Sequence, residues 1–200
     1  MFRRHQTGRQ VDPVRRSPED FWGALKGVWL APGRFFKELD PNGGPVRPAI
    51  FASLVLYLNL LLEAALQALW LREFNYALIY TPFVGLVVAL VLAPLLVAGL
   101  AALVLVVLEG APSRSTFTPT FRSLGYASGI GVVLWVPYGP LLALPYGALV
   151  ATIAVRETLN VSWQRAAAAA LIPLGAVIVI LLLLTGPGEA VGFFTNPPGS

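Results

Sequence analysis

The sequence predicts an all-α membrane protein: a five-transmembrane-helix bundle preceded by a cytoplasmic amphipathic interfacial helix. Three observations carry that expectation. The mean hydropathy is +0.73, with 56% hydrophobic and only 12% charged residues, against the roughly 25% charged share usual in soluble domains. Between Arg122 and Arg156 the chain carries no charge and holds Pro137, Tyr138, Gly139 and Pro140 at its centre. As one helix that stretch would run ~50 Å at 1.5 Å per residue, well beyond the ~30 Å apolar thickness of a bilayer. Proline and glycine there predict a break, so the segment folds into a hairpin with both arginine-bearing ends on one membrane face. The third observation is the placement of the 14 Lys and Arg residues, nine of which precede the first apolar run.

Taken in order, 1–16 read as a disordered basic arm near anionic headgroups. No apolar core and cleavage site follow that start, so no signal peptide is predicted. Residues 17–39 read as amphipathic interfacial helices. Ser17 fits an N-cap, Pro18 the first helical position and Asp20 the third. Phe21, Leu25, Val28 and Trp29 then recur at helical spacing, flanked by Trp22 and Ala24, with Lys26 on the opposite arc. Such a helix is expected to lie at the headgroup boundary, the alternative being that it packs on the protein's own loops. Pro32 and Gly33 end it before Arg34, Phe35, Phe36 and Lys37.

After the turn residues of 40–45, the membrane domain covers 48–185, with spans at about 48–70, 80–108, 121–138, 139–156 and 164–185. The second is longer than one bilayer thickness and holds Pro94, so tilt, extra length or a kink is expected. The third and fourth are short. Alanines at the start of the fifth permit close helix contact. The tail, 186–200, reads as flexible. This layout puts 13 of the 14 basic residues on one side, with Arg72 alone on the other. The positive-inside rule then gives a cytoplasmic N-terminus and an outside C-terminus.

Together these residues resemble the Ypt-interacting-protein (Yip) domain family, in its bacterial form. The likeness rests on Phe21-Trp22, on the Ala31-Pro32-Gly33-Arg34-Phe35-Phe36 approach and on Arg47-Pro48 before the first span. It continues with Thr120-Phe121-Arg122 and Gly125-Tyr126, with Val136-Pro137-Tyr138-Gly139, and with Ser162 to Ala166 opening the fifth span. The resemblance implies a five-helix membrane domain with a cytosolic N-terminus. Eukaryotic relatives associate with Rab-type GTPases. Their aspartate-leucine-tyrosine-glycine-proline signature is missing here, with Asn42-Gly43-Gly44-Pro45 in the comparable region, so GTPase binding is not carried over.

Candidate site residues form two groups. Asn59, Glu63 and Gln67 recur every four residues, a polar stripe on one face of the first span. An ionisable residue in a span is a functional-site hypothesis by default, and the stripe could serve a proton or solute pathway or simply hydrogen-bond neighbouring helices. Trp22, Lys26, Trp29, Arg34, Arg122 and Tyr126 are candidate headgroup or partner contacts. Gly125 and Gly129 allow close helix approach within the bundle.

Catalytic, cofactor-binding and metal-ligating residues are expected to be none. The chain has no cysteine and one histidine, His5 in the basic arm. It has no zinc, phosphate-loop or nucleophile-elbow motif. The basic excess follows topology rather than a base-reading fold, so no nucleic acid is expected. The reading is an integral membrane organising or adaptor protein of a prokaryotic plasma membrane, without catalytic activity. Its expected partners are the lipid bilayer, a membrane or cytosolic protein, and a second copy of the chain. The alternative is a small permease or channel subunit using the first-span stripe.

Overall fold

The computed structural model describes residues 20–40, 43–71, 76–110, 113–136 and 138–185. These residues are all-helical: α1 (Phe21–Leu30), α2 (Pro32–Glu38), α3 (Val46–Leu71), α4 (Tyr76–Glu109), α5 (Arg114–Ala127), α6 (Gly139–Leu159) and α7 (Trp163–Thr185). A 3₁₀ segment, Ser128–Val133, extends α5. Three stretches are long and apolar enough to cross a membrane: Val46–Leu69, Ile79–Glu109 and Gly139–Leu159. The basic arm, the tail, Ser17, Pro18, Arg72 and Pro137 lie outside the described residues.

α1 starts later than the sequence predicts. Asp20 is its N-cap rather than its third position, and its carboxylate accepts the Gly23 N–H at 2.8 Å. That contact satisfies one of the free donors at the helix start. The helix does not present its whole aromatic face outward. Ala24 and Val28 are buried in a core with Phe36, Phe51, Tyr126 and Val150, so α1 packs on helices of its own chain rather than on the loops that the sequence reading offered as its alternative.

α3 and α4 run side by side, joined by the Tyr57 hydroxyl donating to the Pro82 carbonyl at 3.1 Å. α4 is continuous for 34 residues despite Pro82 and Pro94. Its inward face repeats every fourth residue with small side chains, and Ala89, Ala93, Val97 and Ala101 are all buried. Leu and Val fill the exposed remainder, among them Val87, Leu90, Val91 and Leu95. With lipid tails as apolar as leucine, close backbone approach rather than apolarity holds such helices together. The same logic applies to α7, whose Ala166 and Ala169 are buried in the cluster holding Ala93, Val97, Ala101 and Val104, with Ala170 buried as well.

The chain folds back at 134–139, as the proline and glycine residues predict. The α-helix of the first arm ends at Ala127, earlier than a span over 121–138 requires, and the chain continues as tighter 3₁₀ helix. Tyr138 adopts a left-handed conformation, φ 62°. Gly139 opens α6, where a Cβ would fall 2.1 Å from the Val133 carbonyl oxygen. Only glycine fits that approach.

Going down the first arm, Gly125 faces Pro48, Gly129 faces Phe51, Gly131 nears Val55, and Trp135 meets Asn59. The arm therefore runs parallel to α3, and Gly125 and Gly129 do admit a close neighbour within the bundle. From Val46 to Asn59 is ~20 Å of helix rise, so the hairpin reaches little more than halfway along α3.

Candidate functional site

At the end of the bundle where α2, α5 and the C-terminus of α6 meet lies a cavity of about 290 Å³. α2 contributes Phe36 and Lys37, and the segment after it Asp40. α5 contributes Pro119 and Arg122, and α6 with its cap contributes Glu157, Thr158 and Asn160. Each is there for a local reason. Pro32 at the first turn of α2 sets the helix so that Phe36 faces the core and Lys37 faces out. Asn160 ends α6 in the left-handed conformation, φ 50°, which asparagine tolerates better than most residues.

Arg122 lines this cavity. It is only 2% exposed, a rare state for an arginine. Its Nη1 donates to the Asp40 carbonyl, tying the segment after α2 to α5. The charges of Asp40 and Arg47 lie near it. Its Nε, also buried, has no hydrogen-bond partner. A guanidinium carries five N–H donors, and leaving one dry and unpaired is costly. Gly43 packs so closely against the guanidinium that a Cβ would fall 2.2 Å from Nη2. Beside the cavity Glu157 pairs with Arg156 at 3.3 Å, and the Arg156 guanidinium lies 5.8 Å from the Trp163 ring centre.

A sequence model of the Yip1 domain matches residues 26–184. The chain belongs to the Yip1 domain family. The match begins inside α1 and ends within α7, so the second half of α1, all of α2, the hairpin and the cavity residues fall within it. Comparison with curated proteins and with solved structures finds no match.

Within the Yip1 domain the residues singled out from sequence separate. Arg122 and Tyr126 share α5 but neither is a surface anchor. Tyr126 is 3% exposed and sits between the Phe35 and Phe51 rings, at 5.5 and 5.3 Å. Trp29 is half-buried. Its indole N–H donates to the Gly129 carbonyl at 3.0 Å, and its own carbonyl accepts from the Tyr146 hydroxyl at 2.6 Å. Trp22, Lys26 and Arg34 remain exposed.

The three residues of the polar stripe make different contacts. Asn59 is buried, donates to the Val55 carbonyl at 2.8 Å and accepts the Trp135 backbone N–H at 3.1 Å. It thereby satisfies a backbone donor where the hairpin leaves regular helix, which an apolar surrounding requires. Glu63 is exposed and meets only the Gln67 amide, at 3.4 Å, among the contacts resolved here. Among the described residues no group of three or more His, Cys, Asp or Glu could hold a metal ion.

The sequence pointed to Arg122 but not to Lys37, Asp40, Glu157 or Thr158 as its neighbours. A lone arginine opening an apolar run was the available signal. Its companions lie more than 30 residues away in either direction.

Proposed function

We propose that this Yip1-domain protein is an integral membrane organising or adaptor protein without catalytic activity, seated in a prokaryotic plasma membrane. Its chain makes five crossings, with the N-terminus cytoplasmic and the C-terminus outside. α5 with its 3₁₀ extension and α6 supply two short crossings, around which the bilayer thins. The charge distribution, 13 basic residues against one, supports that orientation.

The observation that carries the adaptor reading is the docking of α1 and α2 on the membrane hairpin through Trp29. It holds a cytoplasmic platform in fixed register with the bundle and leaves Trp22 at 63% and Leu30 at 81% exposure beside Lys26 and Arg34. A mixed aromatic and basic face of this kind suits headgroups or an acidic protein surface. We favour this over the permease reading because Asn59 is engaged in closing the hairpin and Glu63 lies on an exposed face beside Gln67.

Crosslinking in intact cells followed by mild-detergent purification tests this reading. A defined partner retained by the full chain and lost in the Trp22→Ala, Arg34→Glu double variant, at equal expression, is the expected result. A partner-free chain that carries ions or solutes in liposomes overturns it.

A further inference from the structure

The bundle is not equally wide at its two ends, and contacts along α3 set the level of each element. Gly125, Gly129 and Trp135 meet Pro48, Phe51 and Asn59 in turn, so the first hairpin arm lies beside the first ~20 Å of α3. α6 returns over the same stretch, where Gly147 faces Ile130 and the Tyr146 hydroxyl donates to the Trp29 carbonyl. α1 lies across both arms at one level. Its Phe21 ring is 5.1 Å from the Phe51 ring, Leu25 sits at Gly129, and the Trp29 indole donates to the Gly129 carbonyl. Past Asn59, α3 continues for ~18 Å to Leu71. α4 and the 23-residue α7, which starts beside the Leu108 carbonyl, cover that depth as well. Among the described residues, then, the Arg122 end holds the hairpin arms and α1 in addition to three long helices, and the other end holds the three long helices alone. With helices ~10 Å across, two upright arms and the flat α1 add roughly 300 Å² of cross-section to one leaflet.

The side chains suit that placement. Phe51 lies ~8 Å along α3 from Val46, a depth at which interfacial helices settle. At that level α1 exposes Trp22 and Leu30 beside Lys26, apolar chains for the hydrocarbon edge and a cation for anionic heads. At the hairpin tip Leu134, Val136 and Leu142 are exposed, an apolar end that meets lipid chains. We propose that the molecule is a wedge in the bilayer, wide at the Arg122 end and narrow at the Leu71 end, and that the surface it fits is a curved membrane whose wide-end leaflet is convex. One leaflet must accommodate more protein than the other, and bending that gives this leaflet the larger area relieves the mismatch. Helices inserted into a single leaflet are curvature-sensitive for the same reason. Under the orientation proposed above the wide end is cytoplasmic, so the chain gathers where the membrane folds toward the cytoplasm. That last step rests on the proposed orientation, whereas the wedge itself does not, and neither depends on a protein partner.

The test uses the full chain with one fluorophore on an introduced cysteine, Lys37→Cys, an exposed position in a chain with no native cysteine. The purified chain is reconstituted into giant vesicles, and an impermeant quencher distinguishes molecules with the wide end outward from the rest. A narrow membrane tube is pulled from each vesicle, and protein density in the tube is compared with that in the parent membrane. The outer leaflet of the tube is convex, so molecules with the wide end outward are expected to be enriched about threefold, ~0.65 kcal/mol, and those with the wide end inward depleted. Trp22→Glu with Leu30→Glu, both on exposed side chains, takes the apolar face of α1 out of the lipid and is expected to lower the enrichment. Glu63→Gln, toward the narrow end, is expected to leave it unchanged. Equal densities in tube and vesicle for both orientations overturn the proposal. So does enrichment of molecules with the wide end inward, or an enrichment that the α1 change does not lower. The expected tube enrichment, together with tags in cells that place the wide end outside, would uphold the wedge and overturn the orientation alone.

Discussion

Asn59 shows how one side chain can decide whether a broken helix is tolerable inside an apolar layer. The hairpin leaves the Trp135 N–H without a helical acceptor, and the Asn59 carbonyl oxygen supplies one. Asn59→Leu keeps the volume but removes that acceptor, and should cost about 1–3 kcal/mol, the usual penalty for a buried unpaired donor. Thermal unfolding in detergent would show it, whereas Glu63→Gln at the exposed next position should change stability by less than about 0.5 kcal/mol. Gly139→Ala should be worse than either, because the added methyl meets a main-chain oxygen rather than a flexible side chain. Spacing alone put Asn59 in a stripe with Glu63 and Gln67. Its true partner lies 76 residues on, and no local pattern announces that pairing.

At the scale of elements, the preface helices and the hairpin behave as one unit. Trp29→Phe keeps the ring in the core but deletes the donor to Gly129, for an expected loss of about 1 kcal/mol. Backbone amide exchange in α1 should accelerate in that variant while α3 and α4 keep their protection.

The hairpin was legible because proline and glycine break a run too long for one crossing. The docking of α1 was not, since an aromatic face has the same composition whether it meets headgroups or the chain's own Phe51 and Tyr126. The early end of α5 also escaped, because the glycines and Ser128 that favour the tighter helix read equally well as a close-packing motif. The chain has no native cysteine, which makes a single Tyr138→Cys probe clean. If the hairpin arms are crossings, that thiol reacts with an impermeant maleimide added outside intact cells. A tip shielded from both sides would make the segment re-entrant.

For the whole molecule, orientation is the property most plainly written in the sequence. Thirteen of the 14 Lys and Arg residues fall in segments that a five-span chain would put on one side, Arg122, Arg156 and Arg165 among them. Tags at the two termini should be accessible from opposite compartments, and protection assays on sealed vesicles read this directly. Crossings by re-entry or by full passage give the same answer for the ends, so terminal accessibility checks the parity of the chain and the Tyr138 probe checks its depth. Membership of the Yip1 family agrees with a membrane domain, the match running over residues 26–184.

The double attachment of Trp29 has a mechanical side. Because its ring is fastened to one arm of the hairpin and its main chain to the other, α1 cannot stay still if either arm slides along the bilayer normal. A membrane that became thicker or thinner around the short arms would shift α1 with them, turning lipid thickness into a displacement at the bundle's end.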